Sequence, residues 1–177
     1  PDTTEQIYWE EPYELSGFIY QDGSETVLDT TGYTVKASIN DGAPVTTNLV
    51  NGKFYLLNFA HADGDKVAVW IDDAGATNYP NANSFAKVDA GFINGLNLYI
   101  NKVAVNSYGA HTTSNADICS FSTYPPSGAP DDDKSFRCPG NNLTLESGVE
   151  FHVINGGSYG TGSSATLTTQ AYGKFHA

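Results

Sequence analysis

KVAVWID (66–72) decides the fold class of this chain. Trp70 stands between Val69 and Ile71 in a run of strand length, dense in β-branched and aromatic residues, and the run reads as a buried strand. Just before it comes Asp63-Gly64, a pair that accepts the positive φ of a tight turn. The same grammar recurs on both sides. YELSGFIY (13–20), YTVKASIN (33–40), KFYLLNF (53–59), LNLYINKVAV (96–105), VEFHVI (149–154) and ATLTTQAYGKF (165–175) have strand density. Asp22-Gly23, Asp41-Gly42, Asn51-Gly52, Asn94-Gly95 and Asn155-Gly156 punctuate them. An all-β protein with little room for a long helix follows: an antiparallel β-sandwich of jelly-roll or immunoglobulin-like type over residues 13–177. The stretch 74–84 (AGATNYPNANS) reads as a linker and a possible internal domain boundary. No sequence repeat is evident, and no apolar stretch is long enough to span a membrane.

With 177 residues the chain can bury one good core or two small ones. Its 20 acidic and 8 basic residues give a formal charge of −12, which repels phosphate backbones and anionic lipid. Nucleic acid and membrane insertion are therefore excluded as expectations. Charged residues are only 16% of the chain, so Thr, Ser, Asn, Gly and Tyr must supply the polar surface. Methionine is absent, and Pro1 reads as a processed end. Cys119 and Cys138 share a long loop, 107–140, rich in Pro, Ser, Asp and Gly. Bonding them would close about 20 residues and stabilise by about 3 kcal/mol; the alternative is two free thiols. A disulfide implies an oxidising compartment, hence an extracellular or cell-surface location. Asn142-Leu143-Thr144 is a glycosylation sequon.

Catalytic signatures fail on their context, and no enzyme is expected. Gly156-Gly157-Ser158-Tyr159-Gly160 has the spacing of a nucleophile elbow, but no acidic residue follows Glu150 and Thr-rich alternation replaces the required helix. Gly160-Thr161-Gly162-Ser163-Ser164-Ala165 resembles a dinucleotide loop without room for the helix and acid it needs. His61, His111, His152 and His176 are scattered, without transition-metal spacing, and His152 lies in a strand facing solvent or another chain. No cofactor is required. Asp63 and Asp65 flank a turn, and Asp72 and Asp73 end the next strand; hairpin pairing could gather these oxygens into a calcium site. Asp131, Asp132 and Asp133 read as a solvated loop.

Residues 1–12 (PDTTEQIYWEEP) form an arm before the first strand, with Ile7 and Trp9 on one side of an extended backbone and Tyr8 on the other. Trp9 would have no obvious partner in its own domain. LSGFIYQDGSETVLDTTGYTVKASINDGAPVTTNLVNGKFYLLNFAHADGDKVAVWIDD (15–73), with its SG-x-I-Y-x-DG opening and GD-x-V-x-V close, resembles the immunoglobulin-like or carboxypeptidase-regulatory-like modules of secreted prokaryotic surface proteins. NNLTLESGVEFHVINGGSYGTG (141–162) resembles the strand-rich region that accompanies them. The general design is also similar to filament subunits joined by donor-strand exchange. These resemblances imply an extracellular, non-catalytic, structural or adhesive role. The leading expectation is a subunit that self-assembles head-to-tail, its arm adding as a strand to a neighbouring copy through Ile7, Tyr8 and Trp9. The second is a carbohydrate-binding or adhesin module for surface glycans, calcium-assisted, marked by an exposed coplanar aromatic pair.

Overall fold

A computed structural model describes residues 14–21, 26–28, 33–72, 81–121, 135–154, 158–169 and 174–176. The arm with Ile7, Tyr8 and Trp9, Asp73, most of 74–84, and Asp131–Asp133 lie outside these residues. The fold is all-β. KVAVWID forms β5 (Lys66–Asp72), flanked on both sides by antiparallel partners, β2 (Thr34–Ile39) and β6 (Ala82–Lys87). The end of the 74–84 stretch is thus the start of β6, and β5 and β6 are immediate neighbours in one sheet. Beyond β2 lies β3 (Val45–Asn48); beyond β6 come β9 (Lys102–Ser107), β13 (Glu150–Val153) and β16 (Lys174–His176).

The central strands of this seven-stranded sheet are buried on both faces. Val67, Val69 and Ile71 enter one core with Val35, Ala37, Ala82 and Ala86. Ala68 and Trp70 enter the other with Phe85, Val103 and Val105. A strand with a core on each side must be apolar at consecutive positions, which explains the unbroken run in β5.

A smaller sheet closes the first core. Its centre is β1 (Glu14–Tyr20), antiparallel to β4 (Lys53–Leu57) and parallel to β7 (Ile93–Asn94) and β8 (Leu98–Tyr99). Leu15, Ile19, Phe54, Leu56, Ile93, Leu96 and Leu98 face inward. Gly17 allows a close approach: a Cβ there would lie 2.5 Å from the Leu96 carbonyl oxygen and 2.6 Å from Phe54 Cζ. The second core is closed by α1 (Asn115–Cys119), β11 (Phe136–Arg137), β12 (Leu143–Leu145) and β15 (Leu167–Thr169), which contribute Ile118, Phe136, Leu143 and Leu145. Ser114 caps the helix, accepting from the Asp117 amide while Asp117 returns the bond. Cys119 at the helix end is bonded to Cys138 just past β11, with their Cα atoms 5.5 Å apart.

The antiparallel expectation holds for β1 with β4, for β3, β2, β5 and β6 in turn, and for β11 with β12, while the remaining pairs are parallel. Asn51 and Gly52 adopt φ 51° and 71° between β3 and β4, with reciprocal bonds between Val50 and Lys53, as a two-residue hairpin turn requires. From β6 onward the large sheet is parallel: β6 with β9, β9 with β13, and β13 with β16. Parallel neighbours cannot be joined by a hairpin and need a long crossover. The crossovers build the outer layers: the first supplies β7 and β8, the second α1, β11 and β12, and the third β15 with β14 (Tyr159–Gly160). The described residues of the 107–140 stretch, expected from composition to be an irregular loop, thus carry β10 (Thr113–Ser114), α1 and β11. A repeat is present too. Leu143 pairs with Leu167 and Glu150 with Lys174, both 24 residues on, so two successive strands, β12 and β13, stack in parallel on the next two, β15 and β16, as in a solenoid.

Candidate functional site: the corner where two sheet edges meet

β3 ends the large sheet and β4 ends the small one, yet the Asn51-Gly52 turn joins them directly. The hairpin therefore forms a corner between the two sheets. Thr47 Oγ1 donates to the Tyr55 carbonyl at 3.0 Å across it. Along β4, Phe54 and Leu56 point into the core, so Lys53, Tyr55 and Leu57 must point out. Val45, Val50, Tyr55 and Leu57 are 45, 68, 42 and 61% exposed. Four of the six large hydrophobic residues exposed among the described residues thus lie on one hairpin. Singly exposed apolar residues are ordinary on a protein surface, whereas four within one 13-residue hairpin are a concentration of apolar surface along two sheet edges.

An aromatic face adjoins the corner. Lys53 Nζ lies 5.7 Å from the ring centroids of both Phe18 and Tyr55, within range of cation–π attraction. The Tyr55 hydroxyl donates to Glu14 Oε2 at 2.5 Å, and this bond to a carboxylate raises the hydroxyl pKa above its usual 10.0. Tyr20 and Tyr99 stack with centroids 5.4 Å apart and planes 26° from parallel. They are cross-strand partners, so each covers one face of the other and only their outer faces remain for a ligand.

Of the four aspartates of the expected calcium site, Asp73 lies outside the described residues, and Asp63 and Asp65 stand at the opposite end of β5 from Asp72. Asp65 accepts from Asn40 Nδ2 at 2.6 Å and from the Ala62 amide at 2.7 Å, fixing the turn before β5. Asp72 is at the other end of β5, about 20 Å away at the rise of a strand, where it pairs with Lys36 at 3.2 Å. The physical reason is that a strand, not a hairpin, separates Asp72 from Asp63 and Asp65. Asp63 instead meets His111 Nε2 at 2.9 Å, with Asp89 at 3.2 Å from the same nitrogen. Asp89 and His111 escaped the sequence reading because only the parallel pairing of β6 and β9 brings their loops together.

Other expected positions have definite surroundings. Asn142 Oδ1 accepts from the Thr166 amide and hydroxyl at 2.9 and 3.1 Å, and Nδ2 donates to the Pro139 carbonyl at 3.3 Å. The sequon asparagine thus ties one coil to the next. His152 is half-buried beside Glu150, whose Oε2 also holds Lys102 Nζ at 2.5 Å. Ser158, the centre of the nucleophile-like pentapeptide, bonds Thr112 through its hydroxyl at 2.8 Å and leads into β14. No protein-family model, curated protein or solved structure matches the chain.

Proposed function

We propose that the chain is an extracellular structural module that assembles with copies of itself by strand addition at the β3/β4 corner. The observation that carries this reading is the exposure of Val45, Tyr55 and Leu57 on two edge strands and of Val50 beside the turn that joins them. Edge strands offer unpaired backbone groups, and alternating apolar side chains set the register of an added strand. Arm 1–12 is the proposed donor. It alternates Ile7 and Trp9 with Tyr8, and it carries Asp2, Glu5, Glu10 and Glu11 without a basic residue, opposite in sign to Lys53 at the corner. Burial of Val50 and Leu57 would contribute about 2 kcal/mol each. Head-to-tail contacts of this kind propagate into a filament. The Cys119–Cys138 bond suits an oxidising location, and the resemblance to sandwich modules of surface proteins agrees with it. No catalytic step is part of this proposal.

A carbohydrate-binding or adhesin role is the second reading, drawn from the aromatic face of Phe18, Tyr20 and Tyr99. It ranks lower because the two tyrosines cover each other. Light scattering on the full chain and on a chain lacking residues 1–11 separates the readings. The full chain is expected to grow in mass with concentration, the truncated chain to stay a folded monomer, and the free arm peptide to bind it. Two monomers across the same range would remove the assembly reading.

A further inference from the structure

Three loops converge at one end of the large sheet: 62–65 before β5, 88–91 after β6 and 108–112 after β9. Backbone bonds hold them together. The Gly64 amide donates to the Val88 carbonyl at 2.8 Å, the Val88 amide to the Asp65 carbonyl at 2.9 Å, and the Lys87 amide to Thr113 Oγ1 at 3.0 Å. From these loops Asp63, Asp89 and His111 each direct one ligand atom to a common point, all within 4.8 Å of one another. Asp89 reaches it only because residue 109 is glycine, at φ 79°; a Cβ there would lie 1.5 Å from Asp89 Oδ2.

We infer that Asp63, Asp89 and His111 bind one divalent first-row transition cation, with zinc as the best-fitting member. The donor set is one imidazole nitrogen and two carboxylate oxygens, each from a different loop. Calcium takes six to eight oxygen ligands, whereas an imidazole nitrogen directs a site toward zinc, copper or nickel. The spacing is near that of such a site: tetrahedral zinc with bonds of about 2.0–2.2 Å places neighbouring ligand atoms ~3.4 Å apart, and His111 Nε2 lies 2.9 and 3.2 Å from the two aspartate oxygens, so the groups must part slightly to admit the ion. A cation also resolves a conflict in the donor set. A single imidazole nitrogen points one lone pair or one proton at two carboxylates, while a metal ion engages all three groups at once. Asp65 is not a ligand, because its two oxygens are committed to Asn40 and Ala62. Three protein ligands leave a fourth position for water or for a donor from another molecule. The bound ion would staple the loops between β4 and β5, β6 and β7, and β9 and β10. This inference is independent of the assembly at the β3/β4 corner.

Calorimetric titration of zinc into the metal-free full chain tests it, with His111→Ala, Asp89→Asn and, as control, His152→Ala. All three residues are outside the hydrophobic cores, so the variants should fold, and their melting curves without metal verify this. Expected are one zinc bound per chain, affinity at least about tenfold weaker in His111→Ala and Asp89→Asn, unchanged affinity in His152→Ala, and no competition from excess calcium. A zinc-dependent rise in melting temperature should vanish in the same two variants. Cobalt should give a visible absorption band that His111→Ala abolishes. The inference is overturned if the full chain takes up no zinc, or if His111→Ala binds zinc as the unaltered chain does.

Discussion

Lys102 is a buried lysine in the large sheet. It is 2% exposed, and its ammonium is held by Glu150 on the adjacent parallel strand. A charge removed from water is tolerable when its partner stays, but truncating one member leaves the other partly desolvated. Lys102→Ala should therefore cost about 3 kcal/mol, read as a lower urea midpoint; a change below about 1 kcal/mol would show that the pair is solvated. Tyr159 gives the alkaline counterpart. Burial raises its hydroxyl pKa from 10.0 to about 12, while its ring packs on Phe151 with centroids 4.6 Å apart and its hydroxyl donates to Asn115 Oδ1. Below pH 10 the phenol is protonated in both states, so it adds no pH dependence there. Between pH 10 and about 12 the unfolded chain has lost a proton that the folded chain still holds, so stability falls as pH rises. Tyr159→Phe should flatten that decline and cost about 1 kcal/mol at neutral pH through the lost hydrogen bond. An unchanged alkaline slope would place the titration elsewhere.

Among the elements, β1 depends on a missing side chain. Gly17 has ordinary strand φ, so its requirement is space alone: Leu96 backbone and the Phe54 ring occupy the place of a Cβ. Gly17→Ala must displace the loop leading into β8 or the Phe54 ring, and should destabilise by about 1–3 kcal/mol. Equal stability of the variant, measured by thermal unfolding, would mean that the small sheet yields freely. The same elements show what the sequence reading could reach. Strands and turns were legible because alternation and Asn-Gly pairs are local signals, and Asn51-Gly52 forms the expected hairpin. Pairing direction was not, because a parallel crossover is spelled with the same strands and turns as a meander. Leu143-Thr144 and Phe151-His152 recur as Leu167-Thr168 and Phe175-His176. Four matches become a repeat only once the sheet register sets both coils side by side.

At the scale of the molecule, one double-faced sheet carries two cores, antiparallel at the β3 end and coiled at the β16 end. The cysteine pair was readable from its shared loop, whereas the calcium grouping was not, since strand length carries Asp72 away from Asp63. The exposed corner lay beyond sequence reading for a related reason: KFYLLNF looks equally apolar whether or not its outward face is covered. Only the layering leaves Tyr55 and Leu57 outside while Phe54 and Leu56 are buried. Assembly at this corner is the central functional claim, and a double substitution, Tyr55→Lys with Leu57→Lys, addresses it on the full chain. Both side chains point outward, so the fold should survive. Light scattering over a wide concentration range should then find the unaltered chain growing into oligomers and the double variant remaining monomeric with an intact melting transition. Oligomers of equal size from both chains, or monomers from both, would contradict the account.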